Sequence, residues 1–240
     1  MGGEVPRVAA RLTMTSLSII VPALDEAGQI VAVLARLAPL RQAGAQVILA
    51  DGGSTDRTVL LALPLVDLVV HAPRGRALQM NAGAAQAGGA ALLFLHADTV
   101  LPEQAGMLIA AALRERVWGR FDIRLAGSHR MLPVIAAMMN WRSRMTGIAT
   151  GDQAIFVRRD VFERLGGYAP IALMEDIELS RRLKKISAPA CLRERVTSSG
   201  RRWEKHGVWR TIVLMWRLRL AYFLGADPRA LAIAYGYSSQ

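Results

Sequence analysis

The sequence predicts an α/β protein: a doubly wound, mostly parallel sheet with helices on both faces and a helical carboxyl-terminal segment. Three observations predict it. Short apolar runs alternate with segments whose apolar residues recur every three or four positions. The runs are apolar throughout, as strands buried on both faces are. Three of them end in acidic residues, at Asp25 and Glu26, at Asp51 and at Asp98. In a parallel sheet such ends share one edge, where open α/β sheets hold ligands.

In chain order, Leu17 to Val21 is a β-branched run that stops at Pro22. Ile30, Val33, Leu34, Leu37 and Leu40 recur at helical spacing, and Gly44 closes that helix. Val47 to Ala50 is a second strand. Ser54 or Thr55 caps a helix reaching about Leu63. Leu68 to Val70 is a third strand, Arg76 to Ala87 an Ala-rich helix, and Leu92 to Leu95 a fourth strand. Beyond Thr99 the pattern loosens. Glu103 to Arg116 and Leu132 to Met145 read as helices, and Trp118 to Leu125 and Ala154 to Val157 as strands. Asp160 caps the next helix, Glu175 to Ile186 is another, and Ala190 to Val196 is a strand. Val208 to Leu224 and Pro228 to Tyr235 are helical, with Pro228 in a first turn.

The 240 residues suffice for one large domain. The expected division is a polar, Arg-dotted leader (1–15), a catalytic domain (16–205) and amphipathic helices packed on or beside it (206–240). Hydrophobic residues make up 52% of the chain, yet no run reaches the ~18 uncharged apolar residues of a spanning helix. The net charge of +11 favours anionic partners. The single cysteine, Cys191, excludes an internal disulfide and points to a reducing cytoplasm. On Val208 to Leu224, Trp209, Ile212, Val213, Trp216, Leu220 and Phe223 form one stripe, with Arg210, Arg217 and Arg219 mainly off it. That is the pattern of a helix lying on an anionic membrane surface, here the inner face. A stripe packed on the domain is the alternative. No nucleic-acid fold signature occurs, and a carboxylate-lined rim repels a polyanion, so nucleic acid is not expected as a partner.

Asp98 is an oxygen ligand suited to Mg²⁺ or Mn²⁺. Three separated carboxylate sites on one rim repel each other, so a ligand bearing cations and hydrogen-bond donors explains them better than stability does. A base, a ribose and a metal-bound diphosphate supply both. The first strand lacks the Gly-x-Gly-x-x-Gly of a dinucleotide fold, and no Walker A sequence occurs.

Pro22-Ala23-Leu24-Asp25-Glu26, Asp51 to Thr58, Gly75-Arg76-Ala77, Asn81-Ala82-Gly83 and His96-Ala97-Asp98 together resemble the ordered motif set of family 2 glycosyltransferases. The resemblance covers roughly Leu17 to Trp203. It implies a GT-A fold, a nucleotide-diphosphate sugar donor, a divalent cation (Mn²⁺ or Mg²⁺) and inversion at the anomeric carbon. Pro22, Leu24 and Glu26 would line base and ribose, and Asp51 would accept the N3–H of a uracil. Arg76 would lie near base or phosphates, and Asp98 would hold the metal. Gly53, Ala97 and Gln153 complete the donor-binding set. His96 stands where the family usually has an acid, as a metal ligand or a packed histidine. The resemblance assigns Asp176 as the base that deprotonates the acceptor hydroxyl, beside Glu175. First-turn acids favoured by the helix dipole are the plain alternative.

Arg201-Arg202-Trp203 looks like the end of a motif of processive members. Arg202 would neutralise the leaving diphosphate and Trp203 would stack on a sugar. Gly151-Asp152-Gln153 and that tripeptide also resemble a bacterial subgroup linked to arsenosugar or selenium-associated modified-sugar pathways. The expected function is therefore metal-dependent, inverting transfer from a UDP- or other NDP-sugar to an unknown small-molecule or lipid-linked acceptor. A sugar-phosphate nucleotidyltransferase and a non-enzymatic membrane-surface protein are the rivals.

Overall fold

The computed structural model describes residues 17–237. The expected leader (1–15) lies outside the described residues. The strands are β1 (Leu17–Ala23), β2 (Gln46–Asp51), β3 (Leu68–His71), β4 (Ala91–Phe94), β5 (Thr99–Val100), β6 (Trp118–Ala126), β7 (Phe156–Arg158) and β8 (Ala190–Ser199). They form one sheet in the order β3-β2-β1-β4-β7-β6-β8-β5. β1, β2, β3 and β4 pair in parallel, as do β6 and β8. β7 runs antiparallel between β4 and β6, and β5 antiparallel to β8. The sheet is thus mostly parallel, with the reversal at its centre.

The helices are α1 (Ile30–Ala35), α2 (Ala38–Gln42), α3 (Thr58–Ala62), α4 (Arg76–Ala85), α5 (Ala105–Glu115), α6 (Leu132–Thr146), α7 (Arg159–Arg164), α8 (Glu175–Ile186), α9 (Arg201–His206), α10 (Val208–Phe223) and α11 (Pro228–Tyr235). Because side chains alternate across a strand, the core divides into two layers. Ile19, Val21, Val47, Leu49 and Leu93 face one layer, with α1, α2, α5 and α6. Ile20, Ile48, Leu92 and Phe94 face the other, with α4, α7 and α8. Burying one such isoleucine or leucine contributes about 1.5–3 kcal/mol. α4 lies close on β1 at Gly83, where a Cβ would come 2.6 Å from Ile20 Cγ2.

Several expectations are corrected. β1 does not stop at Pro22 but runs to Ala23, with Pro22 opposite Ala50. The helix expected from Ile30 is two short ones, because Pro39 lacks an N–H and would clash with the carbonyl four residues back in a continuous helix. Ser54 and Thr55 do not cap α3, which starts only at Thr58; both are bonded to the loop after β1. Asp160 is inside the first turn of α7, where it pairs with Arg158 and Arg164. β5 and α9 were not expected.

α10 and α11 pack beside α8. Leu218, Leu231 and Ala232 share a cluster with Leu173, Met174 and Ile177. Among the described residues no helix is long and apolar enough to cross a membrane.

Candidate active site

β2, β1 and β4 are neighbours and parallel, so Asp51, Asp25 with Glu26, and Asp98 emerge on one edge. The first two loops are fastened to each other. The Asp25 carboxylate accepts from the Thr55 N–H at 2.8 Å and the Asp56 N–H at 3.3 Å. In return the Asp25 N–H donates to Ser54 Oγ at 3.0 Å, and the Glu26 N–H to Thr58 Oγ1 at 2.7 Å. Asp51 is buried, and its carboxylate accepts from the N–H groups of Gly53 and Ser54. The Gln79 amide of α4 donates to the carbonyls of Ala23 and Ala50, and leaves no room for a Cβ on Gly52. Pro22 is buried in β1, Leu24 is half-buried at its end, and Gly53 is exposed beyond Asp51 with φ +90°.

What these loops leave facing the rim is Glu26. Burial raises the pKa of its carboxyl, the negative Asp98 adds to that, and Gln29, Arg201 and Arg76 oppose it. Asp98 is half-buried above the buried Ala97, and its side chain accepts from the Thr99 hydroxyl at 3.3 Å.

The antiparallel pairing of β4 with β7 sets Leu93 opposite Phe156. Extended by a few residues, that register carries the His96–Asp98 turn to Gly151–Gln153. His96 Nδ1 lies 3.2 Å from Asp152 Oδ1, and its Nε2 fills the space where a Cβ on Gly151 would sit. Burial pushes the Asp152 carboxyl up, but His96, Arg76 and Arg142 together hold it below the usual range. Gln153 is fully buried, and its side chain accepts from the Thr150 N–H and donates to Asn140. It braces the turn from inside and is not on the rim.

α8 begins on the same rim. Asp176 Oδ2 accepts from the Gly151 N–H at 2.8 Å and Oδ1 from the Ile177 N–H at 2.7 Å. Burial raises its pKa against those two bonds, and the charge of Asp152 adds to the rise. Glu175 is 5% exposed. Burial and the adjacent Asp176 push its carboxyl up to about 7, with Arg76 opposing. Arg76 is exposed at the start of α4, and its guanidinium, though partly desolvated by its neighbours, is held protonated by Tyr237, Glu175, Tyr235 and Asp152. Arg142 of α6 faces Asp176 and Asp152, and its Nε and Nη2 are buried without a hydrogen-bond partner.

Among the described residues, three other than glycine have left-handed backbone, Asp25 (φ 52°), Ala154 (φ 49°) and Met174 (φ 71°). Each adjoins a candidate residue: Glu26, Gln153 and Glu175. Such strain costs about 1–3 kcal/mol per residue and clusters at functional sites.

The structure therefore brings together Glu26, Arg76, His96, Asp98, Glu175 and Asp176. Arg202 is engaged by Tyr235: its Nη2 donates to the Tyr235 carbonyl at 2.6 Å and its guanidinium stacks 3.5 Å over the Tyr235 ring. Arg201 instead reaches Gln29, at 2.5 Å. Trp203 packs partly against the core. Arg142 and the Tyr235–Tyr237 segment are rim residues that the sequence did not point to, and Asp152 was singled out only as part of the Gly151–Gln153 tripeptide.

A family model described as Glycosyl transferase family 2 matches residues 18–166, which include the first three rim loops and the Gly151–Gln153 turn. The chain belongs to glycosyl transferase family 2. Among curated proteins nothing matches it. Solved structures share the fold at low identity. S. aureus TarS 1-349 in complex with UDP-GlcNAc is 16% identical with a TM-score of 0.62, over 77% of this chain and 58% of that one. The mannosyltransferase PcManGT from Pyrobaculum calidifontis, in complex with GDP-Man and Mn²⁺, is 21% identical with a TM-score of 0.62, over 93% and 66%. Glucosyl-3-phosphoglycerate synthase from Mycobacterium tuberculosis, with Mn²⁺, UDP and glucosyl-3-phosphoglycerate, is 18% identical with a TM-score of 0.59, over 94% and 88%. The chain spans about three fifths of the length of TarS 1-349.

For a family 2 enzyme the donor set fits a cation shared with a substrate. Among the described residues no three His, Cys, Asp or Glu converge as a metal cage. Asp98 offers one carboxylate on the rim, and magnesium-like ions take one or two carboxylates and complete their shell with substrate phosphates and water. His96 is turned to Asp152.

Proposed function

We propose that this family 2 glycosyltransferase moves a sugar from a nucleotide-diphosphate donor, of the uridine series, to an acceptor hydroxyl with inversion. The observation that carries the reading is the desolvated pair Glu175–Asp176, on one rim with Glu26 and Asp98. Glu26 accepts from ribose hydroxyls, and the loop over Asp51 receives the base. Asp98 would hold the divalent cation, which neutralises charge on the diphosphate when bound.

Asp176 is the base. Its carboxylate takes the proton of the acceptor hydroxyl as that oxygen attacks the anomeric carbon. The bond from that carbon to the diphosphate oxygen breaks, and the electron pair leaves with the nucleoside diphosphate. A carboxylate whose proton affinity is raised by burial suits proton abstraction near neutral pH. Two backbone N–H bonds fix its orientation. Arg76 and Arg142 supply positive charge across from the pair. No covalent nucleophile is required.

The structural relatives solved with UDP-GlcNAc, GDP-Man or UDP, two of them with Mn²⁺, support a nucleotide-sugar donor of this general kind. For the modified-sugar subgroup, the support is the tripeptides Gly151-Asp152-Gln153 and Arg201-Arg202-Trp203 alone. The test is a thermal-shift panel of nucleoside diphosphates with and without Mn²⁺ or Mg²⁺. Stabilisation by UDP that needs the metal is expected. A preference for another diphosphate moves the reading to that series, and no stabilisation by any nucleotide overturns it.

A further inference from the structure

α10 has two faces. Val208, Thr211 and Leu218 are buried against the domain. On the opposite side Trp209, Val213, Trp216, Leu220 and Phe223 each leave more than half of their surface in solvent. Ile212, expected on that stripe, packs partly on the core instead. α6 repeats the arrangement. Leu132, Ile135 and Ala136 are buried, while Met138, Trp141 and Met145 are more than half exposed at spacings of three and four. Val208 belongs to the same large core cluster as Leu132 and Ile135, and Leu218 to the one that includes Ile148, just beyond α6.

We infer that these two stripes together are the docking face for an anionic lipid surface. Large exposed apolar patches mark interaction sites, and the charge around this one selects the occupant. The segments 128–151 and 205–226 contain no Asp or Glu, yet carry His129 and Arg130, and Lys205, His206, Arg210, Arg217 and Arg219; Arg142 instead faces Asp176 and Asp152, and Arg144 pairs with Asp122. Arg210 and Arg217 are exposed beside the stripe. Arg181 of α8 stacks on Phe223, its guanidinium carbon 6.0 Å from the ring centroid. Tryptophans between an apolar face and an arginine flank suit the headgroup region, where indole sits half in lipid and cations meet phosphates. A second copy of the chain fits less well, because a two-fold contact would set these arginines against themselves. A spanning mode is disfavoured by the same arginines, at about 2.5–3.5 kcal/mol each mid-bilayer. α10 and α11 also pack on Met174 and Ile177, flanking Glu175 and Asp176.

The experiment is co-sedimentation of the full chain with vesicles of phosphatidylcholine alone, or of equal parts phosphatidylcholine and phosphatidylglycerol, at low and high salt. Quenching of tryptophan fluorescence by brominated lipid is read in parallel. Binding to the anionic vesicles, weakened by salt, is expected. Trp216→Glu on α10 and Trp141→Glu on α6 should each weaken it while leaving the thermal melting curve unchanged, and Trp209→Phe with Trp216→Phe should remove part of the quenching. Arg210→Gln and Arg217→Gln should each lower partition about fivefold. No vesicle binding at low salt overturns the inference. So does binding that neither stripe variant changes. A concentration-dependent dimer that both stripe variants dissociate, without vesicle binding, assigns the face to a second copy instead.

Discussion

Around β1 and β2 the polar side chains of the motif loops are tied to one another. Around α8 the charged side chains face each other with few bonds between them. In the first region Asp25, Ser54, Thr55, Asp56 and Thr58 join two loops, and Asn81, further along α4, ties that helix to the backbone of Tyr168 ahead of α8. Little positive or negative charge is left without a partner there. In the second region Glu175 is buried beside Asp176, Arg142 has two orphaned nitrogens, and Met174 and Ala154 are strained. The lesson is a division of labour. Most motif residues of the proposed donor side preform a cradle by bonding across the two loops, whereas the carboxylates of Glu26 and Asp98 bond only to nearby Gln29 and Thr99. The proposed reaction side keeps Glu175 and Asp176 desolvated side by side, with Arg76 and Arg142 as the nearby cations, and such burial raises a carboxylate's proton affinity toward that of a useful base.

The largest expected effect sits on the reaction side. Asp176→Asn should lower transfer, or slow donor hydrolysis by water, by about 10²–10⁴-fold. Steady-state turnover of UDP-sugars checks it, and near-normal turnover would move the base to Glu175. On the donor side a motif residue should behave as a brace. Asn81→Ala leaves the Tyr168 N–H and carbonyl without partners, which costs about 1–3 kcal/mol. Urea unfolding should register that loss, while kcat for bound donor stays within a few-fold of wild type. A collapse of kcat with unchanged stability would break the comparison.

The smallest effect distinguishes the two regions by pH. Burial raises the Glu175 pKa to about 7 in the folded protein, from its ordinary 4.5. The fold therefore prefers the protonated form. The associated stability is present below the unfolded value and is lost as pH rises through the folded one. Above that window the charged Glu175 destabilises the fold, and Glu175→Gln removes the penalty. Melting scans should give the variant a Tm gain on the order of 2–4 °C at pH ~8 and none at pH ~4. An equal gain at both would mean that packing, and not charge, is responsible.

The donor side was largely legible in the sequence because its signals are local. Buried parallel strands announce themselves as apolar runs, and their acidic ends are contiguous with them. α8 and α11 have the bounds the sequence predicts, since first-turn acids and Pro228 mark where they begin. Long-range pairing hid the rest. His96 and Asp152 meet only because β7 inserts antiparallel between β4 and β6. β5 is two residues long and exists through its pairing with β8. α9 is polar and carries no apolar period that would reveal it. The stacking of Arg202 on Tyr235, 33 residues further on, has no local signal either.

The division of labour is tested most directly by one set of calorimetric titrations of UDP, with and without Mn²⁺, in wild type, Asp98→Ala and Asp176→Asn. The account predicts that Mn²⁺ tightens UDP binding in wild type and equally in Asp176→Asn, and that this tightening disappears in Asp98→Ala. Metal-enhanced affinity that survives in Asp98→Ala but is lost in Asp176→Asn would contradict it.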